Sequence, residues 1–179
     1  MSENEIMKLM SVINYGWIDK NGAKHINDFK TFADEYILQS PEEVIKNKIG
    51  VCWDQVELER KYFEQYKSVK TFFIVHYDNN QCPTHTFLTF EKNNKCYWFE
   101  HSWECFRGIH EYSSVEELLT DIKNKFIKIE LNNIYDKDRI VIYEYSKPEY
   151  NISVQEFFDH CSNGKFIELE KLSEGTKNY

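Results

Sequence analysis

The chain has 179 residues, 30 of them acidic against 22 basic, a formal net charge of −8, and 16% aromatic residues. Acids that outnumber and interleave with the bases argue against nucleic acid, whose phosphates need clustered Lys and Arg, and so many aromatics argue against disorder. Met1 to Met10 carries Glu3, Glu5 and Lys8 rather than a leader's apolar run, no stretch has membrane length, and five irregularly spaced cysteines fit free thiols, so one cytoplasmic domain over 1–179 is expected, without membrane contact.

Apolar spacing predicts short helices over Glu5–Tyr15 and Asn27–Leu38, separated by the turn Asp19-Lys20-Asn21-Gly22. Ser40-Pro41 starts a helix over Glu42–Lys46, and after Gly50 another runs from Val51 to Tyr66 with Cys52 in its first turn. Asp54, Glu57 and Glu59 on that helix read as its solvated face and receive no role. From Thr71 the period changes. Thr71–Tyr77, Thr84–Glu91 and Cys96–Ser102 are aromatic and β-branched, divided by Asp78-Asn79-Asn80 and Asn93-Asn94, which is the pattern of consecutive antiparallel strands. Ser114 with Glu117 forms a capping box for a helix to Phe126 that buries Val115, Leu118, Leu119, Ile122 and Phe126. Strands near Phe126–Glu130 and Arg139–Tyr145 follow. A second capping box, Ser153 with Glu156, opens a last helix that Gly164 can end, before Phe166–Leu172 and a polar tail over 173–179. The expected fold class is α+β: N-terminal helices on an antiparallel sheet, a core over about 41–112 and a structural extension over 113–172.

Chemistry enters at Cys52. A helix N-terminus favours the charged form of a thiol, and Gly50 allows a sharp turn whose N–H groups can face an oxyanion. A free cysteine is more often a small buried hydrophobe, so Cys52 needs partners to carry a function. The hairpin supplies them. If Asn93 and Asn94 form a two-residue turn, Lys92 pairs with Lys95 and Phe90 with Tyr97, and extending the register to Phe87 opposite Glu100 and His85 opposite Ser102 puts His85 and Glu100 on one face. His101 falls on the other face. A carboxylate beside a histidine fixes its tautomer and stabilises the imidazolium, so Cys52, His85 and Glu100 are the candidate catalytic residues. Cys82, His85, His101 and Cys105 have zinc-like spacing, but the register points the two histidines apart, and no metal or cofactor is expected. Arg107-Gly108-Ile109-His110 reads as a rim loop.

These segments resemble the transglutaminase-like superfamily, which shares a papain-like Cys-His-acid core. Gly50-Val51-Cys52-Trp53-Asp54 is similar to its nucleophile segment, Thr84-His85-Thr86-Phe87 to its histidine strand, and Tyr97-Trp98-Phe99-Glu100 to the strand carrying its acid. Two positions depart from the pattern: the acid is usually aspartate, and the residue two after the histidine is often tryptophan, where this chain has Phe87. The resemblance implies a cysteine-proteinase-type fold and attack of a Cys52 thiolate on an amide or ester carbonyl of a peptide or small amide, proton return by His85, and resolution of the thioester by water or an amine. Gln39 and Trp17 are candidate oxyanion donors beyond the Cys52 N–H, and Trp53 and Trp103 candidate substrate contacts. Two other classes remain open: a catalytically silent peptide-binding module of the same fold, and a zinc-stabilised structural domain.

Overall fold

The computed structural model describes residues 1–66, 68–78, 82–133 and 139–169. The N-terminal part comprises α1 (Glu3–Met10), the two-residue strands β1 (Trp17–Ile18) and β2 (Lys24–His25), α2 (Phe32–Glu35), α3 (Pro41–Asn47) and α4 (Cys52–Tyr62). There follow β3 (Lys70–His76), β4 (Thr84–Lys92), β5 (Lys95–Glu100), β6 (Gly108–Tyr112), α5 (Val115–Glu130), β7 (Ile140–Tyr145), α6 (Val154–Ser162) and β8 (Lys165–Ile167). The last six strands form one antiparallel sheet in the order β6-β5-β4-β3-β7-β8, so the chain is mixed α+β. Among the described residues no helix is long and apolar enough to cross a membrane.

Local chemistry sets the elements that matter for the site. Asn93 and Asn94 both adopt positive φ, 52° and 59°, as a two-residue hairpin turn requires. The turn pairs Lys92 with Lys95, Phe90 with Tyr97 and Leu88 with Phe99. That matches the expected register as far as Leu88, where the ladder ends and the two strands part. Alternation along β3 and β4 then sorts side chains between faces. Phe72, Ile74 and Phe87 pack under α5 with Leu118, Leu119, Ile122 and Phe126, while Phe73, Val75 and Tyr145 face α4 and α6. Leu88, Phe90 and Phe99 meet α1 and α4 through Ile6, Met10, Leu58 and Phe63. Each of these large side chains contributes about 2 kcal/mol by leaving water.

Several expectations are corrected. The helix expected over Glu5–Tyr15 stops at Met10, because Asn14 leaves the helical path to pair with the backbone of Lys48 and Gly50. The helix expected over Asn27–Leu38 shrinks to one turn, Phe32–Glu35, since Asn27 takes a left-handed conformation and Trp17–Ile18 pair instead with Lys24–His25 around the expected turn. Phe126–Glu130 is the last turn of α5, not a strand. Phe126 continues the buried stripe of Leu119 and Ile122, and packing outweighs the β-branched composition. Gly108–Tyr112 is an edge strand rather than a rim loop, paired along β5 from Glu100 to Cys96. Asn79, Asn80 and the tail expected over 173–179 lie outside the described residues.

The largest correction concerns α4. Every residue from Cys52 to Glu59 is buried, Asp54 and Glu57 completely, so the acids expected on a solvated face lie inside. Glu57 is held by a two-pronged contact from Arg60, 2.9 and 3.2 Å, and by the Tyr145 hydroxyl at 3.2 Å. A helix sequence rich in charge can be central when the charges find partners or take up protons.

Candidate active site

The first turn of α4 is fixed from within. Asp54 accepts the Val51 N–H at 3.0 Å with one carboxylate oxygen, and the Gln39 N–H and Tyr36 hydroxyl, both at 2.9 Å, with the other. Gln55 Nε2 donates back to the Gly50 carbonyl at 2.7 Å. A Cβ on Gly50 would stand 2.8 Å from the Asp54 Cβ, which is why glycine occupies this position. Burial, working against these three bonds, raises Asp54 to about 7. Cys52 thus opens a helix whose start cannot drift. As the first residue of α4 its N–H has no partner within the helix, whereas the Gly50 N–H is taken by the Asn14 carbonyl at 3.0 Å.

His85, near the start of β4, and Glu100, at the end of β5, come together where those strands part. Glu100 Oε2 lies 2.8 Å from His85 Nε2, with the two side chains 2% and 1% exposed. The other carboxylate oxygen accepts the Trp103 backbone N–H at 2.7 Å and the Ser102 hydroxyl at 2.9 Å, so the acid is held on both sides. The Trp103 ring stacks on the imidazole, centroids 3.7 Å apart and 8° from parallel, while its own N–H donates to Glu130. With Nε2 engaged, Nδ1 is the nitrogen left for the thiol. The Cys52 thiol interacts with the His85 imidazole and with the Tyr15 hydroxyl. Neither contact closes to a regular hydrogen bond, and such contacts are commonly long in a resting site. Burial alone would lower the His85 pKa. The Glu100 charge and the contacts with Cys52 and Glu100 overcome it and raise His85 to about 10. An imidazole held between a carboxylate and a thiol can take the thiol's proton and return it to a leaving group.

The remaining candidates fall outside this contact set. Gln39 Nε2 donates to the Ile49 carbonyl at 3.0 Å and its Oε1 accepts from Asn47, so its side chain ties α3 to the turn before Cys52. Trp17 is fully buried and gives its N–H to the Asp28 carbonyl at 2.7 Å. Both proposed oxyanion donors are therefore already engaged. Trp53 packs among Phe32, Tyr36 and Phe157 and donates to the Thr84 hydroxyl. Only Trp103 touches the histidine. His101 lies on α4's side, its Nδ1 2.7 Å from Gln55 Oε1, and burial with the Arg107 charge lowers it to about 4. Cys82 contacts its own loop at the Asp78 carbonyl. No three His, Cys, Asp or Glu side chains among the described residues are grouped to hold a metal, so the zinc spacing does not become a zinc geometry.

Tyr15 is the neighbour that sequence reading missed. Its apolar spacing reads as helix, and what brings it to Cys52 is a pairing with distant residues: Asn14 receives from Gly50 and donates to Lys48, 34 positions away, on either side of Ile49. No family model matches the chain, and no curated protein is significantly similar to it in sequence.

Proposed function

We propose that the chain is a cysteine-dependent acyl-transfer enzyme of transglutaminase-like type, acting on an amide bond of a peptide or small amide. Cys52 is the nucleophile, His85 the acid and base, and Glu100 the group that fixes the imidazole. The observation that carries this reading is the buried 2.8 Å contact between Glu100 and one nitrogen of His85, with the other nitrogen left for a thiol at a helix start. Thiolate attack forms a carbon–sulfur bond, the amine leaves with a proton from His85, and water or a second amine resolves the thioester. Cysteines that form no disulfide support a reducing, cytoplasmic setting.

The chain contains its own controls. Cys82 and Cys105 are exposed free thiols, whereas Cys52 is only 6% exposed. With p-nitrophenyl acetate at neutral pH and mass mapping of the acetylated peptides, Cys52 should react about 10²-fold faster than either, and His85→Asn should remove that advantage. Cys52 reacting no faster than Cys82 would leave a silent binding module as the better reading.

A further inference from the structure

We propose that the Tyr15 hydroxyl is the second oxyanion donor of this site, acting with the Cys52 backbone N–H. The proposal rests on Cys52 being the nucleophile and assigns the partner that an acyl-transfer site needs.

Several donors on the segments next to the thiol are committed elsewhere. The Gly50 and Val51 N–H groups bond to Asn14 and Asp54, the Gln39 and Gln55 amides to backbone carbonyls, and the Trp53 and Trp103 indoles to Thr84 and Glu130. Of the two side chains that share a hydrogen-bonding interaction with the Cys52 thiol, His85 and Tyr15, the second brings a hydroxyl. Its position is clamped on both sides. Asn14 is bonded to Lys48 and Gly50, and at Gly16 an added Cβ would meet the His25 carbonyl at 2.5 Å and Ile49 Cδ1 at 2.7 Å, so the strap lies flat against the segment leading into Cys52. Tyr15 is 45% exposed and touches Phe29, which is 43% exposed. Tyr15 therefore runs from solvent to the neighbourhood of the buried Cys52 thiol. An oxyanion donor must also keep its proton. Desolvation of the hydroxyl, then the charges of Cys52 and Glu130, hold the phenol well above the ordinary tyrosine range.

The chemistry uses this placement directly. As the sulfur lone pair forms the carbon–sulfur bond, the carbonyl π pair moves to oxygen, and negative charge passes from sulfur to an atom two bonds away. A hydroxyl that interacts with the sulfur lies near the position where that oxygen develops its charge. Collapse restores the carbonyl, the carbon–nitrogen pair leaves with the amine, and His85 supplies the amine's proton. Tyr15 keeps its own proton throughout.

Two electrophiles separate this role from any other. Acylation of Cys52 by p-nitrophenyl acetate passes through a tetrahedral oxyanion, whereas alkylation by iodoacetamide is a direct displacement at carbon and forms none. In the full chain, Tyr15→Phe should slow Cys52 acylation by about 10²-fold, the usual cost of one oxyanion donor, and change its alkylation by less than about threefold. The alkylation arm also reports that the variant has kept its folded site. Unchanged acylation overturns the proposal. A parallel fall in both reactions overturns it in favour of Tyr15 holding the thiol, and a parallel rise in favour of a mere cover over it. A wild-type Cys52 acylated no faster than Cys82 overturns the nucleophile assignment itself, an outcome distinct from a fast wild type matched by a fast variant.

Discussion

Glu100→Gln probes the site through a single atom. The carboxylate makes three contacts: His85 Nε2 at 2.8 Å on one oxygen, and the Trp103 N–H and Ser102 hydroxyl on the other. A glutamine has one oxygen to offer. The Trp103 N–H can only donate, so the amide oxygen must stay there and the amide NH₂ must face His85. Nε2 then has to accept, which moves the imidazole proton to Nδ1, the nitrogen facing Cys52, and leaves no base for the thiol. Inverting the tautomer in this way costs about 10⁴-fold where a triad acts as a unit, with about 1–3 kcal/mol of stability lost from a weakened buried bond. Stopped-flow measurement of the p-nitrophenol burst gives the first figure and urea unfolding the second. Glu100→Asp keeps the charge but withdraws it by about 1.5 Å, one carbon–carbon bond, and should fall between wild type and glutamine. A folded Glu100→Gln chain acylated within tenfold of wild type would refute the claim that this carboxylate sets the histidine.

Two further perturbations test the scaffold. Gly50→Ala forces a methyl against Asp54 Cβ at 2.8 Å, close to the helix backbone where it cannot rotate away, so unfolding free energy should drop by about 1–3 kcal/mol and Cys52 acylation should slow with it; a fully stable, fully reactive variant would show that the turn has slack. For pH, Asp54 is raised to about 7 by burial, so it binds a proton on folding, and its contribution, on the order of 4 kcal/mol, is present at low pH and lost as pH climbs from about 4 through 7. His85, raised to about 10 despite burial by its partners, contributes stability that is complete below about 6.5 and lost as pH rises through 10. Calorimetry should therefore show the melting temperature falling from pH 5 to pH 9, and Asp54→Asn should flatten the lower half of that slope; a rising profile would sink the assignment.

The parts of the fold legible in the sequence are those fixed by neighbours along the chain. Two asparagines set the hairpin, the hairpin sets the register to Leu88 and Phe99, and the approach of His85 to Glu100 follows from it. Ser153 with Glu156 announces its helix because a capping box is complete within four residues, whereas at Ser114 only half of the expected box forms, since the Glu117 carboxylate turns to Ser113. What stayed hidden depends on distant partners. Nothing local distinguishes Tyr15 from a helical residue, because the pairing of Asn14 with Lys48 and Gly50 is tertiary. The acids of α4 misled for the same reason: Asp54 is explained by Gln39 and Tyr36, and Glu57 by Tyr145, 88 positions away. Glu130 shows the limit of composition, since Phe126–Glu130 has strand-like residues and helical packing.

The acids buried in α4 raise a question that the triad alone does not. Glu59 lies seven residues after Cys52, about 10 Å along the helix axis, and an ionised carboxylate at that separation would oppose a neighbouring thiolate by about 2 kcal/mol at an effective dielectric constant near 20. Three such charges would cancel much of what a helix N-terminus and an imidazolium provide. The fold removes them one by one. Burial, followed by repulsion from Glu100 and Cys52, holds Glu59 well above the carboxylate range and hence neutral. Glu57 is matched by the Arg60 guanidinium. Asp54 titrates near neutrality, and its oxygens point to the N–H groups that fix the turn rather than to the sulfur. The carboxylate that does reach the site is Glu100, which meets it through His85. Burying a highly charged helix thus lets the imidazolium, not the acids, set the field at the thiol.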